Sequence, residues 1–321
     1  MKIVVTFNVK DEERYIYQEI INHKNEVIFL RDLSDQNRKK LFETADILFS
    51  WNLPREISEE EIKLLSNLKF IQLLSAGFDH LNFDLIPTSI TIAANQGAYA
   101  ESMAEHTIAM ILSLSKNLFN NHKKMILGEF DQKTPTKYLL NSNVGIIGYG
   151  SIGKAISKRL QNFGVKIFGI NTTAKTEDEI EFIGTLKDLD YILINSDAVV
   201  ISIPLNAKTE ELIGKRELEL MKSNAILINV ARGNIINEKD LYEHLKTHPE
   251  FSAGIDAWWN EPFTTGEFKL NHPFLDLPNI IGSPHNSAIV PGALFKGHRR
   301  ALENIENFLE GKAIKGIINR S

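Results

Sequence analysis

Three ionisable residues, Arg232, Glu261 and His285, each come shortly after an apolar stretch that is typical of a β-strand. They stand in "ILINVARGNIIN", "GIDAWWNEPF" and "IIGSPHNSA". Binding and catalytic sites in parallel α/β sheets form beyond the carboxyl ends of the strands. The three side chains are therefore candidates for one catalytic site.

Together these residue types can act on a hydroxyl group that neighbours a carboxylate. Arg232 can bind the carboxylate through two parallel hydrogen bonds. A carboxylate such as Glu261 beside His285 favours the charged imidazolium and fixes the tautomer of the ring. His285 can then take a proton from the hydroxyl or return it. This chemistry fits a 2-hydroxy acid that loses its hydroxyl proton to the base and a hydride to a nicotinamide.

A glycine-rich turn supplies the expected cofactor site. In "VGIIGYGSIGKAI" the first glycine permits a tight turn, the second lets a pyrophosphate approach the backbone, and the third allows close packing of helix and strand. A lone glycine pattern is weak, but here an apolar strand precedes it and a helical pattern follows. We therefore predict NAD or NADP binding by Gly148, Tyr149, Gly150, Ser151, Ile152 and Gly153.

Asn171 bears on the choice between the two cofactors. It follows the next strand pattern, "VKIFGI", where an NAD-selective site carries Asp or Glu. An asparagine can bind the ribose hydroxyls without repelling a 2′-phosphate, and Thr172 and Lys175 stand close by in the sequence. We expect Asn171 and Thr172 to contact the cofactor, with dual or NADP-leaning use.

Composition narrows the class of protein. The 321 residues leave room for two domains of about 100–200 residues. A net charge of −5 without a basic stripe argues against nucleic acid, and no apolar run reaches the about 20 residues of a membrane span. The absence of cysteine excludes disulfides and thiolate metal sites, and we expect no metal. Because "MKIVVTF" resembles a strand and not a signal peptide, we expect a cytoplasmic protein.

Two blocks of alternating strand and helix patterns run along the chain. The first occupies about the first hundred residues, and one long helix is predicted over about 100–127. The second block opens at Val144 with six strand patterns, at about 144–148, 165–170, 198–203, 225–230, 252–256 and 279–282. Such alternation favours parallel sheets covered by helices.

Five ordered motifs resemble the D-isomer-specific 2-hydroxyacid dehydrogenases, the family of phosphoglycerate, glycerate, glyoxylate and D-lactate dehydrogenases. They are "VGIIGYGSIGKAI", "DAVVISIPLNAKTEELIG", "LINVARGNIIN", "DAWWNEP" and "SPHNSA". The resemblance extends to "FIQLLSAGFDHL" and "NQGAYAESMAEHTIAMILSL", and so covers essentially the whole chain.

The resemblance implies roles for individual residues. Arg232, Glu261 and His285 would be the catalytic trio, with Arg232 also binding the substrate, and His285 would lie beside the cofactor. Ala76 and Gly77 would offer backbone N–H groups to the substrate carboxylate. Pro204 and Thr209 would line the cofactor cleft, and Asp256 would lie near the carboxamide. The long helix would help to build a homodimer.

We therefore predict an α/β fold of two doubly wound parallel-sheet domains. A flavodoxin-like substrate domain, residues 1–98 plus 287–321, would be interrupted by an NAD(P)-binding Rossmann domain, residues 99–286. The expected activity is NAD(P)-dependent interconversion of a D-2-hydroxy acid and its 2-keto acid, with glyoxylate or hydroxypyruvate as examples. The alternatives are D-3-phosphoglycerate dehydrogenase and, in another class, a cofactor-sensing binding protein without significant turnover.

Overall fold

The chain forms two compact units in a computed structural model, which describes residues 1–319 except for the side chains of residues 35 and 36. The first unit combines Met1–Tyr99 with the segment from Pro291 onward, and the second is Ala100–Val290. Residues 320 and 321, which the sequence analysis assigns to the substrate domain, lie outside the described residues. Which unit binds the substrate and which binds the cofactor stays a prediction at this point.

The first unit contains a parallel sheet in the order β2-β1-β3-β4-β5, which is the flavodoxin-like order. Its strands are nearly continuous apolar runs, as is typical of parallel strands buried on both faces. Their bounds are Lys2–Val5 (β1), Glu26–Phe29 (β2), Ile47–Ser50 (β3), Phe70–Leu73 (β4) and Thr91–Ala93 (β5).

Helices from both ends of the chain cover this sheet. They are Tyr15–Ile20 (α1), Asp35–Thr44 (α2), Leu53–Glu56 (α3), Glu59–Lys63 (α4) and, from the C-terminal segment, Ala293–Leu309 (α11 in chain order). Buried residues of α11, among them Ala301, Leu302 and Ile305, pack with strand residues such as Ile3 and Val5 in one apolar core. The first unit therefore needs the C-terminal helix to bury that face of its sheet.

The second unit contains a parallel sheet in the order β12-β11-β10-β9-β6-β7-β8. Its strands are Asn143–Ile147 (β6), Lys166–Ile170 (β7), Phe182–Gly184 (β8), Ala198–Ile201 (β9), Ile226–Asn229 (β10), Ser252–Ile255 (β11) and Ile280–Gly282 (β12). The order reverses between β6 and β9, which is where Rossmann sheets bind their ligands. The predicted fold class, two doubly wound parallel-sheet domains, is confirmed.

The helices of the second unit differ from prediction at one point. They are Ala100–Ser115 (α5), Leu118–Ile126 (α6), Ser151–Leu160 (α7), Leu189–Asn195 (α8), Lys215–Leu220 (α9) and Glu238–Thr247 (α10). The prediction of one long helix over 100–127 is wrong, because Asn117 adopts a left-handed conformation with φ of 50° and separates α5 from α6. Asparagine tolerates this conformation better than most residues.

The sheet of the second unit also holds a strand that the prediction omitted. The sequence predicts six strands, whereas β8 pairs in parallel with β7 and brings the described sheet to seven. This strand has three residues and follows a polar segment, so its apolar run is too short to be recognised in the sequence. No helix within residues 1–319 is long and apolar enough to cross a membrane.

Candidate active site

His285 and Glu261 form a close pair at the carboxyl edge of the second unit's sheet. The imidazole Nδ1 lies 2.9 Å from Oε2 and 3.0 Å from Oε1 of the carboxylate. The side chain of Glu261 is 5% exposed and that of His285 is 20% exposed. Because a carboxylate accepts a hydrogen bond, the pair favours a proton on Nδ1 and leaves Nε2 to exchange a proton with a ligand.

His285 has a backbone conformation that is unusual for a residue other than glycine. Its φ is 48°, and its amide donates to the carbonyl oxygen of Asp256 at 2.9 Å. The carboxylate of Asp256 accepts hydrogen bonds from the backbone amides of Asn286 and Ser287 at 3.1 and 3.3 Å, and from the Ser283 hydroxyl at 2.5 Å. Hydrogen bonds to the fully buried Asp256 thus hold the backbone around His285 in place.

Arg232 lies at the same edge, after β10, which is next to β11 in the sheet. The side chain of Asn229 at the end of β10 supports its loop, donating to the carbonyl oxygen of Arg232 at 2.8 Å and accepting from the amide of Ala231 at 3.0 Å. A β-carbon at Gly233 would lie 2.4 Å from the backbone of Trp258. The loop that carries Arg232 therefore packs directly on the loop that carries Glu261.

The glycine turn between β6 and α7 fits a dinucleotide. Gly148 has a φ of 106°, and a β-carbon there would lie 2.6 Å from the backbone of Ser202. A β-carbon at Gly153 would lie 2.4 Å from the carbonyl oxygen of Gly148, whereas at Gly150 it would meet nothing within 4 Å. Two glycines are thus required for packing, and the third leaves open space at the N-terminus of α7, where a pyrophosphate is favoured.

The other three residues of the glycine turn differ in how far their side chains are exposed. The Tyr149 side chain is buried and its hydroxyl donates to Ser157 Oγ at 2.9 Å, so only the backbone of Tyr149 is available to a cofactor. Ile152 packs partly against the apolar core of this unit. Ser151 is exposed at the first turn of α7.

Asn171 lies directly after β7, and its side chain is used within its own loop. Its Nδ2 donates to the carbonyl oxygen of Lys175 at 2.8 Å, and its Oδ1 accepts from the amide of Thr173 at 3.0 Å. Thr172 between them is exposed. The loop presents amide, hydroxyl and ammonium groups, with no acidic side chain in residues 171–175.

Pro204 and Thr209 close the loop that follows β9. The Thr209 hydroxyl donates to the carbonyl oxygen of Pro204 at 2.8 Å and accepts from the amide of Asn206 at 2.9 Å. Thr209 is buried and Pro204 is exposed. Because β9 adjoins β6 where the strand order reverses, this loop lies at the edge where sheets of this type bind their ligands.

Ala76 and Gly77 belong to the first unit, where they follow β4 in a half-buried loop. The Ser75 hydroxyl donates to the carbonyl oxygen of Gly77 at 2.7 Å, and the Ser75 carbonyl oxygen accepts from the amide of Asn95 at 2.9 Å. These contacts fix the shape of the loop. Its part in substrate binding stays a prediction.

A polar cluster next to the loop that carries His285 is not predicted from the sequence. Nε2 of His106, on α5, lies 2.8 Å from Ser283 Oγ and 3.6 Å from Asp256 Oδ1. Since the Ser283 hydroxyl donates its proton to Asp256, it accepts from His106. Position 106 is 177 residues from Ser283 in the sequence, so only the folded chain reveals the contact.

The chain is similar to one protein family and to individual proteins of known name. The model of the family described as "D-isomer specific 2-hydroxyacid dehydrogenase, NAD binding domain" matches residues 108–287, more than half of the chain. A "D-3-phosphoglycerate dehydrogenase" from Methanocaldococcus jannaschii is 28% identical over 99% of this chain, which spans 59% of that relative's length. A "Glyoxylate reductase" from Thermofilum pendens is 29% identical over 84% of this chain and 80% of its own.

A solved structure resembles the chain over nearly its whole length. It is a D-lactate dehydrogenase from Aquifex aeolicus in complex with NAD and lactic acid, 25% identical, with a TM-score of 0.75. The match covers 97% of this chain and 96% of that one. The predicted class of enzyme, a nicotinamide-dependent oxidoreductase of 2-hydroxy acids, is confirmed by these matches. The chain belongs to the D-isomer specific 2-hydroxyacid dehydrogenase family.

Proposed function

We propose that this chain reduces a small 2-keto acid, of the size of glyoxylate or hydroxypyruvate, to the D-2-hydroxy acid. The observation that carries the proposal is the contact of His285 with the buried carboxylate of Glu261, which holds the imidazole by Nδ1 and leaves Nε2 to donate a proton. Relatives named "Glyoxylate reductase" and "Hydroxypyruvate reductase" support the substrate class.

In this reaction each residue of the trio has one task. Arg232 binds the substrate carboxylate and thereby fixes which carbonyl carbon reacts. His285 donates the Nε2 proton to the carbonyl oxygen as that oxygen becomes a hydroxyl. Glu261 accepts the hydrogen bond from Nδ1 and thereby holds the ring in place. The chemistry that a nicotinamide supplies at such a site is hydride transfer.

The residues that would hold the cofactor surround the carboxyl ends of β6, β7 and β9. Gly150 leaves room for the pyrophosphate at the N-terminus of α7, and Asn171 and Thr172 lie at the end of β7, where the adenosine ribose binds in such sheets. Thr209 and Asp256 complete the proposed set. By resemblance, the backbone N–H groups of Ala76 and Gly77 would bind the substrate carboxylate.

We further propose that the enzyme uses NADPH at least as readily as NADH. A carboxylate at the end of β7 would repel a 2′-phosphate, and Asn171 stands there in its place. Lys175, whose carbonyl oxygen is bonded to Asn171, brings a positive charge to the same loop. An enzyme that used NADH a hundredfold better than NADPH would contradict this preference.

A homodimer forms part of the proposal. Large apolar side chains are exposed on α6 and in the segment that follows it, namely Leu118, Phe119, Met125, Ile126, Leu127, Phe130 and Tyr138. Several large exposed apolar side chains within one short segment are typical of an interface between subunits. Sedimentation velocity should therefore show a dimer, and a monomer at micromolar concentration would argue against it. A cytoplasmic location remains a further proposal.

One experiment separates the proposal from its alternatives. Purified protein is offered glyoxylate, hydroxypyruvate, pyruvate and a phosphorylated three-carbon 2-keto acid, each with NADH and NADPH, and oxidation is followed by the nicotinamide absorbance. We expect the unphosphorylated two- and three-carbon acids to be reduced fastest. Preference for the phosphorylated acid would favour a phosphoglycerate dehydrogenase, as the name of one relative suggests. Tight cofactor binding without turnover of any acid would favour a cofactor-sensing protein.

A further inference from the structure

Trp258 contacts the loops of all three proposed catalytic residues. It lies three residues beyond β11, in the segment that leads to Glu261, and is 6% exposed. An indole N–H donates a hydrogen bond and does not exchange its proton in catalysis, so Trp258 is not itself an acid or a base. Its contacts are instead with the groups that determine where His285, Glu261 and Arg232 stand.

The backbone amide of Trp258 holds the carboxylate of Glu261 in place. It donates to Oε1 of Glu261 at 2.6 Å, and that oxygen also lies 3.0 Å from Nδ1 of His285. A carboxylate that receives both hydrogen bonds cannot rotate without breaking one of them. The orientation of the carboxylate toward the imidazole therefore depends on the position of the Trp258 backbone.

The indole of Trp258 fixes the segment that carries the histidine. Its Nε1–H donates to the carbonyl oxygen of Ser283 at 2.8 Å, two residues before His285. The ring also occupies space that a side chain at Gly282 would fill, since a β-carbon there would lie 2.4 Å from Cζ2 of Trp258. Phe268 and Phe274 contact the ring edge to face, with centroids 5.7 and 6.4 Å away. The indole is thus held in one orientation.

The third contact concerns the arginine. Gly233, next to Arg232, packs so closely on the backbone of Trp258 and Trp259 that a β-carbon would lie 2.4 to 2.6 Å from it. Displacement of Trp258 would therefore move the backbone against which the Arg232 loop rests.

We propose that Trp258 is a positioning residue, whose indole N–H and amide N–H set the distance between His285 and Glu261. The proposal rests on the proposed function, in which His285 donates the proton. The strained backbone of His285, with φ of 48°, needs such external support, because a left-handed conformation of a residue other than glycine relaxes when its neighbours allow it.

Trp259 provides a matched control. Its indole N–H also donates to a backbone carbonyl oxygen, that of Ile236 at 2.7 Å, and its ring stacks on Phe274 with centroids 5.2 Å apart. The carbonyl that it binds lies outside the segments that carry His285 and Glu261. Trp258→Phe and Trp259→Phe each remove one indole hydrogen bond, but only the first removes a contact to the segment of His285.

The experiment compares steady-state kinetics and thermal melting of the two variants with the wild type. Both variants should lose a similar amount of Tm. Trp258→Phe should lower kcat for 2-keto acid reduction by about 10- to 100-fold, the cost of a small misplacement of a catalytic group. Its KM values for the keto acid and the cofactor should change less than about threefold, since binding in the ground state is retained. Trp259→Phe should keep kcat within about threefold of the wild type.

The split between kcat and KM distinguishes positioning from a general loss of structure, because a partly unfolded enzyme would also bind the keto acid and the cofactor less tightly. Should Trp258→Phe fail to fold, Gly282→Ala displaces the same indole without removing it and should show the same kinetic signature.

Unchanged kcat in folded Trp258→Phe or Gly282→Ala would overturn the proposal. So would an equal loss of kcat in the Trp258 and Trp259 variants. His285→Ala, measured in parallel, tests the proposed function separately: wild-type turnover in that variant contradicts the function itself, whereas lost turnover there with an unaffected Trp258→Phe contradicts only the role of Trp258.

Discussion

The imidazole Nδ1 of His285 lies within 3.0 Å of both carboxylate oxygens of Glu261, a side chain that is 5% exposed. The two residues are 24 positions apart and follow adjacent parallel strands, β11 and β12, so the sheet itself brings them together. A buried carboxylate with this contact accepts the hydrogen bond from Nδ1, so Nε2 is the ring nitrogen that remains to donate a proton to a carbonyl oxygen.

Replacement of Glu261 by Gln removes the negative charge and keeps the size of the side chain. We expect kcat for 2-keto acid reduction to fall by about 10²- to 10⁴-fold, the usual contribution of general acid–base catalysis. The measurement is kcat across pH 5 to 9, and a profile that superimposes on the wild type would exclude this role.

Gly150→Ala separates cofactor binding from stability. A β-carbon at Gly150 meets no atom within 4 Å, so the fold should tolerate it and Tm should stay within about 2 °C of the wild type. The methyl group would occupy the space that we assign to the pyrophosphate, and the KM for NAD(P)H should rise at least about tenfold. In the control, Gly148→Ala, the β-carbon meets the Ser202 backbone at 2.6 Å and Tm should fall clearly. Unaltered cofactor affinity in folded Gly150→Ala would contradict the assignment.

Asn171→Asp tests the choice of cofactor. The carboxylate can still accept the hydrogen bond from the Thr173 amide, but it loses the bond to the Lys175 carbonyl oxygen and repels a 2′-phosphate. The ratio of kcat/KM for NADPH to that for NADH should fall by about 10-fold or more, corresponding to about 1.4 kcal/mol of discrimination. Asn171→Ser, which adds no charge, serves as the control. An unchanged ratio in the aspartate variant would show that Asn171 does not read the ribose.

His298 makes the first unit sensitive to acid. Burial lowers the pKa of His298 from 6.5 to about 4, in a pocket with Phe7, Tyr17 and Phe49, and Glu13 lies 3.9 Å away. Below about pH 6.5 this histidine is protonated in the unfolded chain but stays neutral in the folded chain. Its contribution to the free energy of unfolding is therefore fully present above that pH and is lost as the pH falls toward 4. Protonation of this one group lowers the free energy of unfolding by at most about 3 kcal/mol.

Thermal melting between pH 7 and pH 4.5 measures that loss. His298→Phe retains an aromatic ring in the aromatic pocket but cannot be protonated. In this variant Tm should fall less over this pH range than in the wild type. His122→Gln changes an exposed histidine and should leave the fall as it is in the wild type. If His298→Phe melts with the same pH dependence as the wild type, burial of His298 is not a source of acid sensitivity.

Much of this architecture could be predicted because its signals are local. The glycine turn, the apolar runs of β6 and β9, and the polar residue after each strand can be recognised within about ten residues of sequence. The break at Asn117 could not, since apolar spacing continues from α5 into α6 and only the left-handed backbone of one residue separates them. The hydrogen bonds of Asp256 with Ser283 and of Trp258 with Ser283 join residues 25 to 27 positions apart, so they exist only in the folded sheet.

The central claim is that His285 donates the proton in the reduction of a 2-keto acid. The most direct measurement compares His285→Ala with the wild type in kcat for glyoxylate or hydroxypyruvate reduction, together with the Kd for NAD(P)H from nicotinamide fluorescence. The account predicts that kcat falls by at least about 10²-fold while the Kd changes less than about threefold. Wild-type turnover in a folded His285→Ala enzyme would contradict it.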